Sequence, residues 1–395
     1  MFRQKQLQPW MDAHALPRTE SGMTTEFAKI VAAALQREQF TLLDLGCSGG
    51  IDPAWRVFGN RFRALGIDAS AYECHRLVGL EQHPHVHYRA AFVRMLPDHP
   101  AYRDFVGKPF STHHPFKRTN AHRTVRLLDE TIEGGSSEDK LLFNQWAHTE
   151  LANEAEPISV EIALAERKWD DVDFIKIDID NADFEVLTAI ADNLAEWKVL
   201  GTKLEVNFFG GTTPTEATFH NTDRVMRNKG FTLVGLEPRS YSMSPLPARY
   251  VNTVAAQTHT GRVFQADAYY VLDLASDDDR AIAHSMSDEK LAKLAAIFSI
   301  CNQPDSAAEL MILFRDLFST LLDVEQALDL LAFQTQEDRA EKRAYKDYIK
   351  EFEADSPYFY PRREQHLAPA PVRALTLIER LRAAWQAFSQ KFGSS

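Results

Sequence analysis

Cysteine is scarce in this chain. Three of 395 residues, Cys47, Cys74 and Cys301, are odd in number and far apart, so neither a disulfide framework nor a CxxC zinc or redox pair can be built from them. No run of about 18 apolar residues is present to span a bilayer, and the opening MFRQKQLQPWMDAH lacks the apolar core of a signal peptide. A protein of a reducing, cytoplasmic compartment is expected. Positive charge is in deficit as well: 44 Lys plus Arg against 56 Asp plus Glu leave a net −12, which argues against an extended basic footprint for nucleic acid. With 17 Gly and 18 Pro the chain is too poor in both for a collagen-like or low-complexity composition, and no fixed-period repeat signals a solenoid.

What is present is an alternation. From about residue 23 to 275, helical stretches alternate with short apolar or β-branched runs, the pattern of a mostly parallel sheet with crossover helices on both faces. TTEFAKIVAAALQREQ places Phe27, Ile30, Val31, Ala34 and Leu35 on one helical face, and the buried run FTLLDLG follows. Strands are then expected at RFRALGID, near VHYRAAFV, at VDFIKIDID, VLGTKLEVNFF and FTLVGLE, which makes six parallel strands. RVFQADAYYVLDL reads as a seventh, antiparallel strand at the edge. Residues 1–22 form an N-terminal extension, and about 96–157, with His99, His113, His114 and His122, break the rhythm as an insertion. From 280 to 395 the composition is helical without strand signals, a second domain or cap whose apolar helices would also suit a homo-oligomer contact.

The segment most informative about chemistry is TLLDLGCSGG, a buried strand ending in an acid followed by a glycine-rich turn. Ligands of open α/β sheets bind at such strand ends. Gly46 would let the backbone approach a ligand, while Gly49 and Gly50 permit the tight turn. GCSGG is not GxGxxG, and Asp44 before the turn suits a ligand bearing an ammonium group better than a pyrophosphate, which points to S-adenosylmethionine. Asp68, ending the second strand, is placed to accept both ribose hydroxyls. Gly46, Cys47, Ser48 and Gly49 would cradle the methionyl part, with Asp44 in support. Cys47 has no matched base and is expected to serve by its size.

In VDFIKIDIDNADFEVL, strand alternation puts Lys176, Asp178 and Asp180 on one side, so that Lys176 can hold the carboxylates ionised; Asp180 could equally cap the following helix. KLEVNFF adds Glu205 and Asn207 at the next strand end. Such a cluster of Asp178, Asp180 and Glu205 can orient a hydroxyl, act as general base or ligate one divalent cation, although no compact ligand motif exists and a metal is not expected. Gly134, Gly135, Ser136 and Ser137 offer hydrogen bonds to an adenine, or simply make a turn. Two further readings share these letters: a nicotinamide-dependent oxidoreductase, whose Asp68 would likewise hold a ribose, and a non-catalytic binding protein with a vestigial sheet.

DLGCSGG, GID, EGGSS, VDFIKIDIDNADFEVL and LEVNF, in that order over roughly residues 40 to 210, resemble the FkbM-like family of class I S-adenosylmethionine-dependent methyltransferases. The chain departs from that family by carrying Asp180-Asn181 where Glu-Gly is usual. The resemblance implies a Rossmann-like class I fold, S-adenosylmethionine as cofactor, and methyl transfer to a hydroxyl of a small molecule, sugar, glycolipid or polysaccharide precursor. RSYSMSPLP and QADAYYVLD are similar to relatives associated with surface-polysaccharide synthesis, which implies a glycan acceptor. The resemblance stops before residue 280.

Overall fold

The computed structural model describes residues 24–105, 118–119, 155–179, 182–249, 257–276, 280–336, 339–354 and 356–359. Its strands are β1 (Phe40–Leu45), β2 (Phe62–Asp68), β3 (Val86–Ala90), β4 (Phe92–Val93), β5 (Pro157–Ile158), β6 (Phe174–Ile177), β7 (Gly201–Asn207), β8 (Phe231–Tyr241) and β9 (Arg262–Leu272). The helices are α1 (Glu26–Ala34), α2 (Ala71–Leu80), α3 (Tyr102–Phe105), α4 (Val160–Arg167), α5 (Asp183–Ile190) and α6 (Phe219–Asn228). They continue with α7 (Arg280–Ser285), α8 (Asp288–Ile300), α9 (Pro304–Leu313), α10 (Arg315–Phe318), α11 (Val324–Thr335) and α12 (Tyr345–Ala354).

Seven strands form one sheet in the order β3-β2-β1-β6-β7-β9-β8, while β4 and β5 pair separately. All but β9 run parallel, so the fold is the Rossmann-like class I architecture. The chain leaves β1 for β2 on one side and joins β6 on the other, which opens a crevice at the carboxyl ends of these three strands. One expectation is corrected: β9 is antiparallel but lies between β7 and β8, and β8 is the edge. The reason is legible afterwards in Pro238, which gives β8 no ladder donor at its middle and is tolerated at an edge. In β9, by contrast, every residue from Ala266 to Val271 is buried.

The two faces of the sheet differ. One is apolar: Leu43, Leu45, Leu65, Ile67, Ile175, Ile177, Leu204, Val206 and Ala268 share a core with Val160 and Leu164 of α4, Phe184 and Leu187 of α5, and Met226 of α6. On the other face the strands begin apolar and end charged. Their lower part is covered by the 3₁₀ segment Pro53–Arg61, with Phe58 stacked on Phe40 at 4.0 Å and Trp55 against Phe174 at 4.4 Å.

Helix α1 is shorter than its periodicity suggests. Thr25 caps its start, accepting the amide of Ala28 at 3.0 Å. Past Ala34 the chain turns extended because the Glu289 carboxylate of α8 accepts the amides of Gln36, Arg37 and Glu38 at 3.2, 3.0 and 2.7 Å, a competitor that no local pattern reveals.

The unit holding the sheet runs on to Lys342, past the boundary near 280 that composition suggested. Lys290 and Lys293 of α8 reach down to Asp173 at the foot of β6, at 2.7 and 2.8 Å. Asp173 has no exposed surface and also accepts the Thr41 amide at 2.7 Å. In α8 both lysines are buried because they have this carboxylate to answer, which a reading by hydrophobicity cannot anticipate. In the second unit, Arg343–Ser395, Tyr348 and Phe352 of α12 pack edge-on against Phe359.

Burial alone would raise the Asp173 carboxyl, but Lys293 and Lys290 outweigh it and hold it below the usual carboxylate range. Its contribution to stability is therefore present at neutral pH and lost as acid reaches that lowered folded value. Asp173→Ala removes the buried carboxylate shared by both ammonium groups, leaving Lys290 with Asp171 and Lys293 with Glu38, and is expected to cost about 3 kcal/mol, read as a lower urea midpoint.

Candidate active site

The site is built outward from the end of β1. Gly46 has φ +80°, and its amide and that of Cys47 both donate to Ile67 O, at 2.8 and 3.3 Å, tying the turn to β2. A Cβ on Gly46 would lie 1.7 Å from the Asp178 carbonyl oxygen. Glycine is thus demanded here by the close approach of the β6 end, a second requirement beside the ligand approach that the sequence suggested. Gly49 and Gly50 have φ +81° and +92°, as a tight turn requires. The segment after it is capped by Asp52, which accepts the Ala54 amide at 2.9 Å, yet forms a 3₁₀ helix, not an α-helix, with a kink at Gly59.

Glu73 of α2 supports the turn from below. Ser70-x-x-Glu73 has the letters of a capping box, and Ser70 does accept the Glu73 amide at 3.2 Å. The Glu73 carboxylate instead accepts the Gly49 amide at 2.8 Å while paired to Arg76 at 2.7 Å. Sequence reasoning missed this role, because an acid 24 residues beyond a glycine turn carries no signal of contact.

Lys176 joins the strand ends. Its Nζ donates to Asp44 Oδ1 at 3.1 Å and to the Gly46 carbonyl at 2.8 Å, and lies 3.5 Å from Asp178 Oδ2. Asp44, only 1 % exposed, therefore already has a cation. Next to this trio, Asp178 and Glu205 stand one step beyond the paired Ile177 and Leu204, on neighbouring strands. Burial, and then the neighbouring Asp178 charge, push Glu205 up to about 10, so it is protonated at neutral pH. For Asp178, burial is outweighed by Lys176, by the hydrogen bond from Glu205 and by Arg239, which hold its carboxyl well below the usual range. Further along the same face, Arg239 of β8 donates to Glu205 Oε2 at 3.2 Å and pairs with Asp267 of β9, whose other oxygen lies 2.9 Å from Lys203 Nζ.

These groups border a cavity of about 390 Å³, within the range of small-molecule sites. Its wall includes Asp44, Gly46, Ser48, Asp68 and Asp178 from among the expected residues, together with Ala91, Phe92 and Val93 beyond β3 and Lys176, Lys203 and Arg239. Cys47, Gly49 and Glu205 are not part of the wall. The Cys47 side chain is fully buried, with its sulfur where a Cβ on Gly66 would lie, 2.8 Å away. A hydrogen bond with Cys74, then burial, push its thiol well above the ordinary value, so it is no nucleophile. Asp180 and Ser136 lie outside the described residues. Among the described residues no group of three His, Cys, Asp or Glu side chains is arranged to hold a metal ion. Lys203, Asp267 and Arg239 were missed because their neighbours across the sheet depend on the position of β9, which strand alternation alone does not give.

S-adenosylmethionine fits these residues: a side-chain-poor turn, a carboxylate at the end of β2, and an apolar margin of Ala91, Phe92 and Val93 meet in one cavity. Gly46→Ala is expected to part β1 from β6 or to unfold the turn, and calorimetric titration with S-adenosylhomocysteine should show at least a tenfold loss of affinity, about 1.4 kcal/mol.

Comparison with known proteins adds a family. Residues 109–233 match the sequence model of the Methyltransferase FkbM domain, a stretch that takes in β6, α5, β7 and α6 and begins beyond the glycine turn. No curated protein matches the chain. Among solved structures it is similar to a SAM dependent methyltransferase from Aquifex aeolicus, with 9 % identity over 67 % of this chain and 97 % of that one at a TM-score of 0.28. It is also similar to a TehB-like SAM-dependent methyltransferase from Corynebacterium glutamicum, with 10 % identity over 68 % and 96 % of the two chains at a TM-score of 0.25. The fold assignment rests on the strand order itself. The chain thus carries, over residues 109–233, a stretch similar to the Methyltransferase FkbM domain, set on a sheet of Rossmann-like strand order.

Proposed function

We propose that this methyltransferase acts on oxygen, transferring the methyl group to a hydroxyl of a sugar, glycolipid or polysaccharide precursor in the cytoplasm. The observation that carries the reading is a carboxylate, Asp178, in the cavity wall beside the β1 turn and 3.5 Å from the Lys176 ammonium. In this reading Asp68 holds the ribose hydroxyls, Ser48 and the backbone of the turn hold the methionyl part, and Ala91, Phe92 and Val93 flank the adenine. Ser136 is proposed to join the adenine contacts, and Asp180 to stand beside Asp178. A divalent metal is not part of this reading.

S-adenosylmethionine supplies an electrophilic methyl group when bound. The chain's own work is to align the acceptor oxygen and to receive its proton. Alignment in such reactions contributes up to about 7–11 kcal/mol. A carboxylate held below its usual range is a weak base but a strong hydrogen-bond acceptor. Asp178 therefore orients the hydroxyl through a charge-assisted hydrogen bond, and takes the proton once bond formation to carbon has made that oxygen acidic. Lys176 keeps Asp178 ionised for both tasks. A glycan acceptor is supported by the polar character of this part of the wall, where Lys203, Arg239 and Asp267 offer hydrogen bonds.

Asp68→Ala should weaken S-adenosylhomocysteine binding by about 10- to 100-fold, the worth of a hydrogen bond to a charged group, in calorimetry. Asp178→Asn should keep that binding and lose methyl transfer to acceptor extracted from cells lacking the gene. Glycan mass spectra from cells with and without the gene should differ by one methylene. A wild-type protein that does not bind S-adenosylhomocysteine would sink the proposal.

A further inference from the structure

The charged face of the sheet holds more groups than the reaction above employs. β6 and β7 pair as Lys176 with Lys203 and Ile177 with Leu204, so Asp178 and Glu205, one step further, fall side by side on the same face. Two carboxylates in contact do not both ionise readily. Around them Lys176 answers Asp44 and Asp178, while Lys203 and one arm of Arg239 answer Asp267. Among the described residues these three cations thus face five carboxyl groups, Glu237 lying within reach of Lys203 and Arg239 as well. Glu205 has no cation to itself: Gln265 donates to one of its oxygens and the second arm of Arg239 to the other, at 3.2 Å for the latter.

We propose that Arg239 is a positioning residue: reaching in from the outer strand β8, it holds Glu205 against Asp178 so that the two carboxyls keep one proton between them and Asp178 remains the carboxylate that faces the acceptor. This rests on the reading of Asp178 given above. Glu205 then acts as a neutral donor that fixes the orientation of Asp178. Arg239 has both arms engaged, with Asp267 and Glu205, and the Arg239 side chain is 26 % exposed, so its geometry is set by the β8–β9 pairing that aligns Arg239 with Gln265 and Glu237 with Asp267. The other titratable groups bearing on the pair are Glu237 and Tyr241 of β8, Tyr269 of β9 and Asp183 at the start of α5. Because the positive charge of Arg239 disfavours protonation of both carboxyls, its removal must move their titration to higher pH, and a lysine in its place, with the charge but not the grip, separates the effect of charge from that of positioning.

The test is a carbon-13 NMR titration of full-length protein labelled at its aspartate and glutamate carboxyls. In the wild type one glutamate carboxyl is expected to stay protonated through neutral pH, and its resonance to vanish in Glu205→Gln, which assigns it. In Arg239→Gln the titration of the pair should move up by about one to three pH units. Arg239→Lys, which keeps the charge without the two-armed grip, should reverse only part of that shift, because Glu205 is no longer held against Asp178, and serves as the variant if Arg239→Gln does not fold. An ionised Glu205 at neutral pH, or a titration unmoved when Arg239 loses its charge, overturns the proposal. If Arg239→Gln does not fold, an Arg239→Lys titration identical to the wild type overturns it as well. Calorimetry with S-adenosylhomocysteine on the same samples separates the two claims: failure of the wild type to bind removes the methyltransferase reading and leaves the result on the shared proton standing.

Discussion

The Lys176 ammonium is the fixed point of this molecule. It touches the end of β1 through Asp44, the turn through the Gly46 carbonyl and the end of β6 through Asp178. Burying an ammonium is tolerable only when its donors are all engaged. Here its engagement requires that the turn fold back over β6, and that requires a residue at position 46 with no Cβ. The glycine and the lysine, 130 residues apart in sequence, are thus two halves of one constraint. Once both are in place, the backbone of the turn, Asp68 and Asp178 are brought round a common cavity without further adjustment.

From that point charge spreads across the sheet by alternation and register. Each strand from β6 to β8 contributes a residue of one sign beside one of the other: Asp178 by Lys176, Glu205 by Lys203, Arg239 by Glu237. A face assembled in this way has little freedom in its protonation, because every shift on one strand is felt on the next. The β8–β9 hairpin is in this respect a part of the site, although its residues begin more than 50 positions beyond Asp178. The far end of the face is made differently: there Asp173 gathers Lys290 and Lys293, so helix α8 closes over the lower sheet through charge.

Elements with a short-range cause could be read from the sequence. The strand FTLLDLG, the turn GCSGG and the acid closing RFRALGID each carry their own signal, and they come together as expected because consecutive βα units place successive strands side by side. The third unit, VDFIKID, was equally legible, since alternation alone puts Lys176 and Asp178 on one face. What escaped was set by distant partners. Neither the end of α1 under Glu289, nor the burial of Lys293, nor the support of Gly49 by Glu73 has a local pattern. The steric demand on Gly46 escaped for the same reason, since the atom that forbids a side chain there, the Asp178 carbonyl oxygen, belongs to the end of another strand. His113 and His114 lie outside the described residues, and nothing in the fold bears on them.

The placement of β9 shows how one topological step decides the chemistry. Had this strand taken the edge, Glu205 would have faced β8 directly and Asp267 would have lain on the outside. With β9 inserted, Asp267 stands opposite Glu205 on one side and Glu237 on the other. It can then take up Lys203 and one arm of Arg239 together, which leaves the second arm for Glu205. An antiparallel strand also brings Gln265 level with Asn207 rather than below it, so that its amide reaches the Glu205 carboxyl from the open end of the sheet. The proton relation between Glu205 and Asp178 is therefore a product of strand order. Any chain with the same residues on β6 and β7, but without an inserted antiparallel strand, would have to supply those two donors from elsewhere or leave Glu205 ungripped.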